Sequence, residues 1–256
     1  MAVAKGRARE DRSTLTVHAG GLLLAWTLAA GTALAAGHTA AAQAGVKGRV
    51  SGWEKLVPQV YGDAAKPDSH RYTWREPSPT VKPEFRRLSP DVARDVCVAA
   101  VSAAGSGAAA HEPLSVKVTG GRASWATIVL SPGSRLSFRN ADPFPHTLYE
   151  AGSPQWAPNA LAPGSTREWS ATEPGVHTIR DQQFPSFVVY VVIDPGAVEL
   201  AFPDHEGAFS MPLPAGDYTL KAFFDGKVVG KGSVRMGDHG VEIKEPLVLA
   251  AGDSKG

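Results

Sequence analysis

The sequence predicts an all-β chain built as two successive sandwiches. Three observations carry that reading. Pro-Gly pairs at 132–133, 163–164, 174–175 and 195–196 punctuate short runs rich in β-branched and aromatic residues. Proline sets φ for the first turn position and glycine supplies the positive φ of the next. Leu136 and Phe138 alternate with Arg135, Ser137 and Arg139, the period-two pattern of a strand with one face in a core. The chain carries 27 Gly and 20 Pro among 256 residues, a turn-rich content that suits many short strands better than a helical bundle.

Composition narrows the function classes. The chain is 43% hydrophobic and 20% charged, with a net charge of +1, so it has length enough for one or two cores and no electrostatic footprint for nucleic acid. A single cysteine excludes an internal disulfide and any CxxC metal cluster.

Taken in order, residues 1–44 read as a signal peptide. Lys5, Arg7, Arg9 and Arg12 form a basic start diluted by Glu10 and Asp11, residues 20–36 are apolar, and Ala33-Leu34-Ala35 and Ala42-Gln43-Ala44 fit the small-x-small cleavage pattern. Small residues in the second half of the apolar run favour cleavage over a retained membrane anchor, and no cysteine follows to carry a lipid. The expected location is periplasmic or extracellular, in a bacterium, with no membrane span after cleavage.

Residues 45–112 read as an extended β/loop segment and linker. Residues 46–51 and 95–101 look like strands, while Pro67, Pro77, Pro79, Pro83 and Pro90 interrupt the stretch between them. Tyr72, Trp74 and Phe85 are expected to pin that excursion. Arg86, Arg87 and Arg94 read as solvated charge, and Cys97, between Val96 and Val98, as a buried, inert thiol. Residues 102–110 are a flexible linker by composition. Residues 113–196 form the first sandwich, opened by strands at 114–118 and 127–130 and closed by the apolar run 187–193, a central strand. Residues 197–250 form the second. Tyr218, Leu220, Ala222 and Phe224 share one face there, and Asp225-Gly226 is a hairpin turn. At about half the usual domain size, this unit is expected to borrow residues 45–51 as a strand or to pack on its neighbour. Residues 251–256 are a fraying tail.

Four parts follow one another in the first unit. An F-x-N-x-D strand end is followed by a histidine (Phe138, Asn140, Asp142, His146); then come a Pro-Gly hairpin reaching Trp169, a P-G-x-H-x-I strand over 174–179, and a V-x-V closing strand. This order resembles the cupredoxins, the plastocyanin-like blue-copper domains, over about a third of the chain. The resemblance implies a Greek-key sandwich and puts the family's first copper-ligating histidine at His146. It puts the cysteine ligand's place at Asp181, the second histidine's at Phe184, and the axial methionine's among residues 187–189. The copper site is therefore expected to be degenerate. The run G-x-F-x-x-x-L-P-x-G-x-Y-x-L over 207–220 resembles the carboxypeptidase-regulatory-like, transthyretin-like β modules, which are accessory sandwiches without chemistry of their own. The pair is similar to exported bacterial plastocyanin-like proteins.

A type 1 copper site needs two imidazoles, a thiolate and a weak axial donor. Cys97 lies outside the first unit, so it is not the thiolate by this motif. His177, Ile179 and Asp181 share one face of their strand by period two. Two readings follow for His146 and Asp181: a hydrogen-bonded pair that replaces the metal, or a weak, vestigial copper site with both as ligands. Arg139 or Arg180 would be the alternative partner of Asp181. Phe144, Trp156 and His177 form a possible binding patch, with core or edge packing as the competing use of the aromatics.

Hydrolase motifs are absent. His111-Glu112 and His205-Glu206 have Ser115 and Phe209 where the second histidine of H-E-x-x-H belongs, and the G-x-S-x-G match at 252–256 opens no helix. The sequence thus points to an exported, non-catalytic binding or accessory protein with no catalytic residue and no cofactor beyond weakly held copper, its partner a protein or cell-envelope component. A copper-binding electron-transfer protein with altered ligands is the alternative. A hydrolase using His146 and Asp181 is a third, weaker class.

Overall fold

A computed structural model describes residues 44–57, 90–102 and 113–250. Residues 1–43, read as signal peptide, residues 58–89 with Tyr72, Trp74, Phe85, Arg86 and Arg87, residues 103–112, read as linker, and residues 251–256, read as a tail, lie outside the described residues. Among the described residues the fold is almost entirely β. The exceptions are a 3-10 turn at Trp53–Lys55 and one four-residue helix, α1 (Val92–Asp95), whose first turn Asp91 caps by accepting from the Ala93 N–H. No helix among them is long and apolar enough to cross a membrane.

The strands among the described residues form four sheets. The first runs β4-β3-β6-β9 and comprises β3 (Leu114–Thr119), β4 (Arg122–Ala123), β6 (Arg135–Asn140) and β9 (Thr166–Ser170). The second runs β5-β11-β10-β7-β8, from β5 (Thr127–Leu130), β7 (His146–Glu150), β8 (Asn159–Leu161), β10 (Gly175–Asp181) and β11 (Val188–Ile193). The third runs β12-β2-β14-β15, from β2 (Val96–Ser102), β12 (Ala197–Ala201), β14 (Gly216–Phe224) and β15 (Lys227–Met236). In the fourth, β1 (Gly45–Ser51) pairs with β13 (Ala208–Pro212) on one side and with β16 (Val241–Glu242) and β17 (Leu247–Val248) on the other.

Alternation stacks these sheets in order. Leu136 and Phe138 of the first sheet meet Ile179, Val189 and Val191 of the second in one buried core. This is a β-sandwich, and the strands carrying the F-x-N-x-D, Pro-Gly hairpin, P-G-x-H and V-x-V parts all contribute to it. Val46 and Val50 of the fourth sheet meet Val98, Leu220, Ala222 and Phe224 of the third in a second core. A third cluster lies between the two sandwiches, where Val129 and Val192 of the second sheet face Cys97, Ala99, Val101 and Phe223 of the third. Trp125 stacks on Phe202 at its edge, with ring centroids 4.1 Å apart.

β2 is the strand that joins the two sandwiches, and it departs from the expected division of the chain. Val96, Val98 and Ala100 point into one core and Cys97, Ala99 and Val101 into the cluster between sandwiches, all six buried. A strand apolar on both faces has to lie in a sheet covered on both sides, so β2 sits between β12 and β14 and not in an extended segment. β1 pairs with β13 of the second unit, the borrowed strand that the unit's small size led one to expect. The second sandwich is therefore discontinuous, and residues 113–196 stand as an insertion between its strands β2 and β12. Asp95, read as the start of this strand, instead ends α1 and accepts from the Arg94 side chain at 2.8 Å.

Candidate functional site

His146, Asp181 and Phe144 sit together at one pole of the first sandwich. Asn140, fully buried at the end of β6, organises it. Its amide donates to the Phe144 and Leu161 carbonyls at 2.8 and 2.9 Å, and its Oδ1 accepts from the Asp142 N–H at 2.8 Å. Those three bonds hold the loop 141–145 in a compact arc that delivers Asp142 and His146 to the same point. Asp142 in turn accepts from the N–H groups of Gly120 and Gly121 at 2.6 and 3.0 Å. Both glycines have positive φ, and a Cβ at Gly121 would stand 2.8 Å from the Phe184 ring. A side chain there would be strained and would collide with that ring.

His146 has no solvent exposure. Its Nδ1 lies 2.6 Å from Asp181 Oδ2 and its Nε2 lies 3.0 Å from Asp142 Oδ2. Asp181 also accepts from the Thr147 and Gln183 N–H groups at 3.3 and 2.8 Å. Both ring nitrogens are thus engaged by carboxylate oxygens. Burial works against the Asp142 carboxylate, but the Gly121 and Gly120 N–H groups and then His146 outweigh it, and its pKa lies below the ordinary aspartate value. Phe144 and Phe184 stack on each other, ring centroids 5.3 Å apart, and both lie against the imidazole.

The structure thus brings His146 and Asp181 together and adds Asp142. Neither Arg139 nor Arg180 is a partner of Asp181; the carboxylate is filled by the histidine and two backbone donors, leaving no role for a guanidinium. Phe144 lies against His146, whereas Trp156 and His177 both adjoin Glu150, whose N–H donates to the Trp156 carbonyl at 3.0 Å. His177 belongs to the other end of β7 and β10, where its Nδ1 meets Glu150 Oε1 at 2.6 Å and its Nε2 donates to the Glu173 carbonyl at 3.1 Å. Trp169 Nε1 donates to the second oxygen of Glu150 at 2.9 Å. Trp156 lies under the Arg167 guanidinium, 3.8 Å from its ring centroid, and packs on Phe138.

Asp142 and Glu150 are the residues that sequence reasoning missed as partners. Asp142 stands in the F-x-N-x-D run, but its destination is the turn at 120–121, whose proximity only the parallel pairing of β3 with β6 creates. The Glu150–His177 contact follows from the pairing of β7 with β10, which sets Glu150 opposite Ile179.

Copper does not fit these residues. A ligand imidazole must offer a lone pair, and both nitrogens of His146 face carboxylates instead. Among the described residues no group of three or more His, Cys, Asp or Glu is arranged to hold a metal ion. Cys97 lies between the sandwiches, and burial pushes its thiol pKa up to about 12.

No protein-family model and no curated protein matches the chain. Among solved structures, the Cu-containing nitrite reductase from Thermus scotoductus is similar over 36% of this chain and 25% of its own length, at 18% identity and a TM-score of 0.30. Amicyanin, in the Cu(I) form of a mutant, is similar over 39% of this chain and 98% of its own, at 16% identity and a TM-score of 0.30. The purple cupredoxin from Nitrosopumilus maritimus covers 31% of this chain and 98% of its own, at 19% identity and a TM-score of 0.27. The chain thus spans a quarter of the nitrite reductase and nearly all of the amicyanin and of the purple cupredoxin.

Proposed function

We propose that this chain is an exported, non-catalytic binding or accessory protein, in which a hydrogen-bonded Asp–His–Asp cluster stands where a cupredoxin holds copper. The observation that carries the reading is the double engagement of His146 by two buried carboxylates. A histidine so held already spends both ring nitrogens on carboxylates of its own chain. What it does is tie the start of β7, the end of β10 and the turn at 120–121 together. In this reading the second sandwich is a carboxypeptidase-regulatory-like module, the leader directs the chain to the periplasm or beyond the cell, and the partner is a protein or envelope component.

Titration of the purified chain with Cu(II), with Zn(II) as control, tests it. The expected result is no intense blue band and at most weak, pale, tetragonal binding that His146→Ala does not specifically abolish. A strong thiolate-to-copper band, or tight Cu(II) binding lost on His146→Ala, overturns the reading in favour of an electron-transfer protein with altered ligands.

A further inference from the structure

The first sheet ends the stack. Its inner face packs on the second sheet, whose far face packs on the third, so the outer face of the first sheet is covered by no other described sheet. Its strands alternate, with the buried residues in the core and the others turned outward. Lys117 and Thr119 stand out from β3, Arg122 from β4, Arg135 and Arg139 from β6, and Glu168 from β9, all exposed. The net charge of the chain is only +1, yet this face sets Lys117, Arg122, Arg135 and Arg139 against Glu168 alone.

Strand register gathers the cations. The parallel pairing of β3 with β6 puts Lys117 beside Arg139. Arg122 pairs with Thr119, one outward position along β3 from Lys117. Arg135 lies on the same strand as Arg139, about 13 Å away at the usual rise per residue. Glu168 answers only Arg135, at 3.6 Å with both side chains more than half exposed, a contact worth little. Lys117, Arg122 and Arg139 have no ion pair among the described residues. Arg122 also borders a small cleft with Asp95 and Asp225 at the rim of the face, where Asp95 is committed to Arg94 and to the Asp91 N–H. Like charges set side by side on neighbouring strands destabilise a sheet. A face that keeps Lys117 beside Arg139 gives up stability and gains an outward positive field.

The same face restricts the partner. None of its outward side chains is apolar or aromatic. It therefore offers no anchor for a bilayer, no ring on which a base could stack, and no apolar centre for docking a protein. Between the cations stand the hydroxyls of Ser115, Ser137 and Thr166, which both donate and accept. Residues 58–89 hold six Lys and Arg against four Asp and Glu, so that segment of the chain does not complement the face in charge. Cations in rows with hydroxyls between them suit a linear chain that carries carboxylates and hydroxyls at regular intervals.

We propose that the outer face of the first sheet binds a linear acidic polysaccharide, a carboxylated glycan laid across β3 and β6 with its carboxylates on Lys117, Arg139 and Arg122. This names a partner class for the binding role proposed above and rests on that role. Copper titration reads His146 and not this face, so the two can fail separately. The test is hexagalacturonate titrated into the full chain at low salt, followed by calorimetry and amide NMR shifts, with maltohexaose as the uncharged control. Saturable binding that weakens as salt rises, with shifts centred on Lys117, Arg122 and Arg139, is expected, and no binding of maltohexaose. Lys117→Gln and Arg139→Gln are each expected to weaken binding about threefold, the scale of an exposed ion pair, and the double variant about tenfold. Neither single change should lower the urea midpoint, since each relieves a repulsion. Arg235→Gln, at an exposed pair with Asp217 in the other sandwich, should leave affinity unchanged. Absence of saturable binding, equal affinity for maltohexaose, or unchanged binding in the double variant would overturn the proposal. Equal affinity for hexaglutamate would also overturn it, in favour of an acidic peptide. Binding to phosphatidylglycerol vesicles without binding of hexagalacturonate would do so in favour of a membrane.

Discussion

At the scale of the residue, the pole of the first sandwich turns on His146 and the two carboxylates that flank it. Asp142 ties the imidazole to the turn at 120–121, and Asn140 fixes the backbone on which both are presented. Replacing Asp142 by asparagine keeps the shape and removes the charge, leaving a buried imidazole N–H without its carboxylate. The expected loss is about 2–3 kcal/mol at pH 7. Its pH dependence follows from the direction of the shift. The folded-state pKa of Asp142 lies below the unfolded value of about 3.9, so its contribution is fully present above that value and is lost as pH falls through the folded one. Urea unfolding of the two proteins should therefore differ at pH 7 and converge in strong acid; a gap that stays constant down to pH 2 would refute the assignment. The sequence made half of this legible. The chain order puts His146 and Asp181 at matching places in a recognisable pattern, whereas Asp142 acts on glycines some twenty residues earlier, a contact that no local spacing reveals.

At the scale of the element, the strands were readable wherever one face is buried and the other wet. β6 alternates cleanly, with Leu136, Phe138 and Asn140 buried and Arg135 and Arg139 exposed, and period two finds such a strand. β10 carries Ile179 between His177 and Asp181, opposite Val189 and wholly buried. Ile179→Ala should cost about 2–4 kcal/mol through lost burial and the residual cavity, read from the urea midpoint at constant slope; an unchanged midpoint would contradict the core placement. The hairpin at Asp225-Gly226 was legible because both residues take positive φ, 48° and 75°, as its turn type requires. Gly226 has a second reason that no sequence shows: a Cβ there would stand 2.7 Å from Val176 of the inserted sandwich. β2 was found as a strand and misplaced as an element. Its unbroken apolar run says that both faces are covered, but not by which sheets.

At the scale of the whole molecule, the described sheets form a stack in which each apolar face is covered by the next, and the insertion is fastened to its host by the cluster around Cys97. Polar contacts reinforce that junction: Lys221 Nζ meets Asp194 Oδ2 at 2.9 Å, and the Asp225 N–H donates to Thr127 Oγ1 at 3.1 Å. The chain holds a single cysteine, and it lies at the centre of this junction with no exposure. Cys97 is thus a built-in reporter of whether the sandwiches separate. Its thiolate is the reactive form, and burial raises its pKa from 9.0 to about 12, so the folded chain should be inert to a disulfide reagent at pH 8. Labelling then requires opening of the junction, and its free energy should match that of global unfolding. Phe223→Ala tests the coupling, since the ring is 3% exposed and packs in the same cluster. The truncation should cost about 3–5 kcal/mol and speed labelling under native conditions by the matching factor. Rapid labelling of the unmutated chain at full secondary structure would show instead that the two sandwiches part readily, and that the buried face of β2 holds them together only weakly.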